Sequence, residues 1–384
     1  MIKPIPYGRQ QILDEDIAEV VNVLKSDFLT QGPKVLEFEQ NFAAYVGSDY
    51  AIAVSNGTAA LHLSALSLNI EPGDRWITSP ITFAASANAI SYCGGNVEFV
   101  DIDLETGLID LSALRTKLES KPIGHFKGIV IVHYSGLCVD MEQVRAIANQ
   151  YNLKIIEDAS HVPGGYFLNK KGERKLAGNG EFADLSTFSF HPVKHIAAGE
   201  GGMITTSNPE LAKKTSILRT HGITKDPQDL FKNDGDWYYE MQTLGFNYRL
   251  SDIHSALGIS QLRRIDTSIK KRQILAKRYF EKLSNLASVE LLHELNKTNN
   301  VYHLFLIKAK NRKELYNHLR QHQIYCQVHY IPLHQLPYYR RKGSYELPKA
   351  ELFYDHCLSI PLYPDLSEDE QDFVIEKIYE FDRQ

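Results

Sequence analysis

Cysteine is scarce in this chain. There are four in 384 residues, at positions 93, 138, 326 and 357, and no two form a Cys-x-x-Cys pair. Such spacing offers no thiolate cluster for zinc or an iron–sulfur centre and suits a reducing compartment. No metal is expected. Long apolar runs are missing as well: none approaches the roughly 18 residues of a membrane span. The opening residues 1–10, Met-Ile-Lys-Pro-Ile-Pro-Tyr-Gly-Arg-Gln, lack the apolar stretch of a secretory signal, so a cytoplasmic location and no membrane partner are expected. Excess charge of one sign is absent. Forty-two Lys and Arg stand against 47 Asp and Glu, a net charge of −5, which gives no electrostatic case for nucleic acid. Internal repeats and low-complexity tracts are also lacking.

What is present is the composition of a globular enzyme, 43% hydrophobic and 23% charged. From 50 to 206, short β-branched runs alternate with helical patterns. Strands are expected at 50–55, 75–79, 97–102, 128–133, 154–157, 185–190 and 202–206, and helices at 58–68, 84–92, 111–119 and 141–151. This alternation predicts a mostly parallel sheet covered on both faces. The run Gly128-Ile-Val-Ile-Val-His133 is apolar until its last residue, as a central strand should be. Beyond 206 the pattern changes to a helix at 209–219, an aromatic-rich stretch at 221–249 and one long amphipathic helix at 253–286. Strands at 301–308 and 325–330 and helices at 312–322 and 368–381 follow. The expected organisation is a large α/β domain at 14–252 and a small C-terminal α+β domain at 253–384, with residues 1–13 packed against the latter.

Ligands of open α/β sheets bind outside the carboxyl ends of the strands, and the polar candidates fall there. After the first strand, Asn56-Gly57-Thr58-Ala59 opens a helix, and backbone N–H groups with a hydroxyl at a helix N-terminus suit a phosphate. An ordinary Asn-Gly turn with a cap gives the same letters. After the second strand comes Phe83, which suits stacking on a planar ring or plain core packing. After the fifth comes Glu157-Asp-Ala-Ser-His161, and after the sixth Ser189-Phe-His-Pro-Val-Lys194, followed by the glycine-rich Gly199-Glu-Gly-Gly202. An Asp at one strand end and a lysine after the next suit pyridoxal 5'-phosphate (PLP). The lysine forms a Schiff base and the carboxylate keeps the pyridine nitrogen protonated. His161 is a candidate for the cofactor's 3'-oxygen, and Ser189 for its phosphate. Tyr7, Thr30, His329 and Tyr330 are candidates for contacts to the second substrate; aromatic-rich segments of this kind also serve as packing.

With these residues in view, the chain resembles the DegT/StrS-type nucleotide-sugar aminotransferases of the fold-type I, aspartate aminotransferase-like PLP enzymes. The similarity runs through Leu29-Thr-Gln-Gly-Pro33, Val54-Ser-Asn-Gly-Thr-Ala-Ala-Leu-His62 and the Asp158 and Lys194 motifs. It continues through Arg219-Thr-His-Gly222 and Gly245-Phe-Asn-Tyr-Arg-Leu-Ser251. It implies that Gly57, Thr58, Ala59 and Ser189 hold the phosphate, Phe83 stacks on the ring, and Asp158 pairs with N1. It also implies His161 near O3', Lys194 as the Schiff-base lysine, and Asn247 reaching the phosphate from a neighbouring subunit, hence a homodimer with shared active sites. Within the family, two stretches look most like the pseudaminic-acid branch. That branch uses L-glutamate to aminate C4 of a UDP-linked 4-keto-6-deoxy-N-acetyl sugar. Two departures stand beside the site: Val162-Pro-Gly-Gly165 after the Asp motif, and His195 after the lysine.

Two rival readings stand beside this one. The deoxygenating dehydratase branch of this fold replaces the lysine or adds cluster cysteines, and Lys194 with scattered cysteines argues against it. A catalytically silent PLP-binding regulator usually carries a DNA-binding domain, for which this chain has neither spare length nor a basic segment.

Overall fold

The computed structural model describes residues 3–232, 234–292 and 298–383. All seven expected runs between 50 and 206 become strands of one sheet. They are β1 (Tyr50–Val54), β2 (Arg75–Thr78), β3 (Asn96–Phe99), β4 (Gly128–Val132), β5 (Lys154–Asp158), β6 (Leu185–Ser189) and β7 (Gly202–Thr206). Their spatial order is β1-β7-β6-β5-β4-β2-β3. β7 runs antiparallel to both neighbours and the remaining pairs are parallel. Every residue of β4 is buried, and each fully buried aliphatic there contributes about 1.5–3 kcal/mol. Gly128 opens β4 because the Trp76 indole of β2 lies against it. A Cβ at that position would come within 2.4 Å of the ring.

Helices cover both faces: α1 (Asp14–Leu24), α2 (Pro33–Val46), α3 (Gly57–Ser67), α4 (Ala84–Tyr92), α5 (Leu111–Glu119), α6 (Met141–Tyr151) and α7 (Pro209–Arg219). α1 and α2 were not among the expected helices. α2 nevertheless carries standard end signals, Pro33 in its first turn and Gly47 at φ +78° after its last. α3 is buried nearly all round by small and aliphatic residues. It therefore runs through the core and aims its N-terminus at the strand ends.

The C-terminal part corrects three expectations. The single helix at 253–286 is two, α8 (Asp252–Arg263) and α9 (Ile265–Leu283), broken at Arg264. There the backbone closes in an i→i+3 bond from Arg264 N–H to Gln261 O (3.3 Å). The Arg264 guanidinium reaches sideways to the buried Asp16 carboxylate at 2.6 Å. The strand expected at 301–308 is β9 (Phe305–Ala309), flanked by β8 (Val289–Leu291) and β10 (Cys357–Ile360) in an antiparallel sheet. Residues 301–304 instead bond to the loop after β4, through Val301 N–H to Gly136 O and Leu304 N–H to Ser135 O, both 3.0 Å. Of 325–330 only Tyr325 is in a strand, Ile324–Tyr325, paired in parallel with Ile5–Pro6. The two helices α10 (Arg312–Gln321) and α12 (Glu368–Asp382) fall where expected, and α11 (Pro348–His356) is additional. A second apolar core gathers Tyr279, Phe305, Leu315, Leu319, Ile324 and Ile378 with Ile5. Residues of the 333–357 segment, including Leu333, Tyr339 and Phe353, join the core of the large sheet.

Candidate active site

A cavity of about 790 Å³ opens at the carboxyl ends of β1, β2, β5 and β6. Gly57, Thr58, Ala59, Phe83, Asp158, His161, Ser189 and Lys194 all line it, as do Tyr7, His329 and Tyr330 from distant parts of the chain. Asn247 and Thr30 do not line it. Both are exposed, Thr30 bridged to Ser251 and Asn247 to Thr220.

One end of the cavity is backbone. Asn56 caps α3, and its Oδ1 accepts from Ala59 N–H at 2.8 Å. The Ala59 N–H is thereby committed. The N–H groups left to meet an anion are those of Gly57 and Thr58, at the positive end of a buried helix dipole. Close packing forbids side chains beneath this turn. A Cβ on Gly57 would stand 2.8 Å from Ser189 Cβ, and one on Gly202 would stand 2.5 Å from the Asn56 carbonyl oxygen. The glycines of β7 and α3 thus let two strands and a helix end meet with the Ser189 hydroxyl beside them.

At mid-cavity the Asp158 carboxylate is buried and preorganised. Oδ2 accepts from Ser86 Oγ at 2.7 Å, and Oδ1 accepts from Ser160 N–H at 3.2 Å and Ser160 Oγ at 2.6 Å. The neighbouring Glu157 points away into the core. It accepts from His133 Nε2 (2.7 Å) and Ser186 Oγ (2.5 Å) in a buried network that stiffens the end of β5. Phe83 caps α4 and is 62% exposed, so its ring forms cavity wall rather than core.

The other end is made of side chains. Lys194 lies in the turn after β6, and burial lowers its ammonium to about 8, the charge of Asp158 opposing the shift. His161 accepts the Ser135 N–H on Nδ1 at 3.3 Å, so its neutral ring carries hydrogen on Nε2 and donates to Tyr330 Oη at 3.2 Å. His303, which sequence reasoning did not single out, places Nε2 3.2 Å from Lys194 Nζ and its ring centroid 4.3 Å from that of His161. Burial first, and then the lysine's charge, hold His161 and His303 well below the usual imidazole range and push His329 down to about 3. His195 is likewise held at about 3, by burial and then the charge of Arg272. Its Nε2 donates to the Val301 carbonyl at 2.9 Å, which gives that departure from the family pattern a structural use. Ser86 and His303 were missed because each acts through a partner that only the fold supplies, 72 and 109 residues away in the chain; Ser160 lies two residues from Asp158, within its own motif, and was not singled out. Among the described residues no group of His, Cys, Asp or Glu is placed to hold a metal ion.

The donor set fits PLP: an amine of lowered basicity, a fixed buried carboxylate, an anion-binding helix end and an aromatic wall. The comparisons agree. The model of the DegT/DnrJ/EryC1/StrS aminotransferase family matches residues 10–379. The chain is 37% identical to the spore coat polysaccharide biosynthesis protein SpsC of Bacillus subtilis, over 97% of this chain and 96% of the relative. It is 35% identical to the UDP-4-amino-4,6-dideoxy-N-acetyl-beta-L-altrosamine transaminase of Campylobacter jejuni, over 98% and 96%. Among solved structures, Helicobacter pylori PseC, an aminotransferase of pseudaminic acid biosynthesis, superposes with a TM-score of 0.89 at 30% identity, over 99% of this chain and all of that one. Streptococcus pneumoniae Spr1654 in its pyridoxamine phosphate (PMP) form gives 0.89 at 27%, over 99% and 98%, and it has also been solved with PLP. The fold is thus that of the fold-type I PLP enzymes. With lysine, carboxylate and helix end converging in one cavity, this chain belongs to the DegT/DnrJ/EryC1/StrS family as a PLP-dependent sugar aminotransferase.

Proposed function

We propose that the chain moves the amino group of L-glutamate to C4 of a UDP-linked 4-keto-6-deoxy-N-acetylhexosamine, giving UDP-4-amino-4,6-dideoxy-N-acetyl-beta-L-altrosamine for pseudaminic acid biosynthesis. The observation that carries this reading is near full-length similarity to a transaminase of that name, joined to a cavity holding Lys194 and Asp158. The similarity to SpsC supports a second reading, in which the acceptor is another UDP- or dTDP-linked keto sugar.

In this reading Gly57 and Thr58 N–H, the Thr58 hydroxyl and Ser189 hold the phosphate, Phe83 lies on the ring face, and Asp158 faces N1. His161 lies near O3', and Lys194 is the covalently bonded residue. PLP, when bound, supplies a sink for the electrons released as a C–H bond next to nitrogen breaks. The protein's residues do the rest. Asp158, fixed by Ser86 and Ser160, keeps a proton on the ring nitrogen. Lys194 Nζ takes the proton from the donor's Cα and, in the return half, delivers one to the sugar's C4. An amine of lowered basicity suits this task, whereas an arginine would stay charged. Tyr7, His329 and Tyr330 form the wall that the sugar nucleotide meets.

The working unit in this proposal is a cytoplasmic homodimer in which Thr30 and Asn247 serve the partner's cavity. Support comes from their exposure outside their own cavity and from the neighbouring aromatic loop, where Phe231 is 95% and Trp237 73% exposed. The test of the substrate is a panel of UDP- and dTDP-linked 4-keto sugars with NMR of the product. Conversion of a dTDP sugar in preference to every UDP sugar would overturn the first reading. The test of shared sites mixes inactive Lys194→Ala and Asn247→Ala chains under subunit exchange. Recovery of tightly loaded, active sites is expected, up to about half of the sites in heterodimers, and no recovery despite proven exchange would refute sharing.

A further inference from the structure

Among the described residues, the His303 ring has one hydrogen-bond partner, the amine of Lys194. Its Nε2 stands 3.2 Å from Nζ, while its buried Nδ1 finds no hydrogen-bond partner among the described residues. An imidazole that relays protons needs an exit at its second nitrogen. Among the described residues His303 has none, a geometry suited to holding an N–H rather than to passing a proton on.

The ring is fixed by the segment that carries it. Val301 N–H and Leu304 N–H bond to Gly136 O and Ser135 O. His195 Nε2 bonds to Val301 O. The fully buried Arg272 donates from Nη1 to the carbonyls of Tyr302 (3.2 Å), His303 (3.4 Å) and Leu362 (3.0 Å). Gly136, at φ +120°, is needed for the approach, because a Cβ there would lie 2.4 Å from Tyr302 N. The same loop orients His161 through Ser135 N–H. Two imidazoles are therefore set by one turn after β4, with rings 4.3 Å apart. Burial opposes a charge on His303, and so do the groups that face it, Lys194, His161, His195 and Arg272.

We propose that His303 is a positioning residue for Lys194, its Nε2 holding the amine in the orientation needed for attack and proton transfer without itself exchanging a proton. The proposal rests on the reading of Lys194 as the covalently bonded lysine.

The test uses the full chain and two variants of matched polarity. In His303→Gln the amide can reach the place of Nε2; in His303→Asn it falls short by one bond. Three readouts are taken. The pH midpoint of Lys194 labelling by trinitrobenzenesulfonate is followed by peptide mass spectrometry in cofactor-free protein. The rate of the glutamate half-reaction is followed by absorbance. Borohydride fixation is mapped to a peptide. A bond to the ammonium favours its charged form, so His303→Asn should lower the labelling midpoint. It should also slow the half-reaction at least about tenfold with the KM for glutamate little changed. His303→Gln should restore midpoint and rate to within about threefold, while the two variants melt alike. A wild-type midpoint and rate in His303→Asn would overturn the proposal. Equal impairment of both variants would also overturn it, by showing that the imidazole's proton is needed. If borohydride fixes the cofactor elsewhere than Lys194 in the unmodified chain, the underlying reading fails first and takes the proposal with it.

Discussion

The two ends of the cavity are built in opposite ways. At the α3 end the lining is largely main chain: the amides of Gly57 and Thr58, beside the hydroxyls of Thr58 and Ser189, with glycines beneath them so that strands and helix end can touch. At the Lys194 end the lining is side chains of 161, 194 and 329–330, backed by His303 and His195, and most of these are buried imidazoles held neutral. A backbone site needs space and a dipole, and it tolerates most neighbours. A site of buried imidazoles needs each ring to be held in place, so its precision is carried by bonds from distant parts of the chain, such as Ser135 N–H to His161 Nδ1 and Arg272 to the His303 carbonyl.

The comparison can be broken most severely at Lys194. Lys194→Ala should abolish turnover and the visible absorbance of the bound cofactor, and borohydride should no longer fix PLP to the chain. The phosphate end should remain intact, so phosphate should still protect the protein against heat. Next comes the carboxylate between the two ends. Asp158→Asn keeps the shape but withdraws the charge, and should cut turnover by about 100-fold or more while loosening PLP only about tenfold. Equal losses in the two measurements would assign Asp158 to affinity alone. At the backbone end, Gly202→Ala forces a methyl against the Asn56 carbonyl and the Gly57 nitrogen. The expected cost is about 1–3 kcal/mol in denaturant melts, with weaker PLP binding but an unchanged pH midpoint for Lys194 labelling.

The smallest effect sharpens the contrast in pH dependence. His329 titrates at about 3 in the folded chain because of burial and then the Lys194 charge, against about 6.5 when unfolded. Between these values the unfolded chain binds more protons, so stability falls as pH falls through that window, by up to about 1.4 kcal/mol per pH unit for each such histidine. His195 adds a second group of the same kind. His329→Gln should make the slope of stability against pH between 6 and 4 shallower by up to one proton. Gly202→Ala should leave that slope alone. Urea melts across this range measure both.

The legibility of the site follows the same division. Asn56-Gly57-Thr58, Asp158, Ser189 and Lys194 were readable because each sits within a few residues of a strand end whose position hydrophobic pattern predicts. Ser86 and His303 were not, since a serine inside a helix and a histidine in the connection between two strands have no local signature. The long helix was read past Arg264 because its apolar period continues, while the break is tied to a buried Asp16 more than two hundred residues away.

By itself, then, the sequence determined the seven strands, the covering helices after β1, and the chemistry offered at the strand ends, because these depend on short-range period, turn residues and helix caps. Tertiary structure alone decided the strand order, the antiparallel placement of β7, the commitment of Ala59 N–H to its cap, and the meeting of His161, His303 and Lys194. Those outcomes depend on which distant backbones pack together. That is settled by the fit of side chains such as Trp76 over Gly128 and of the 301–304 segment on Gly136, contacts for which no stretch of neighbouring residues carries the pattern.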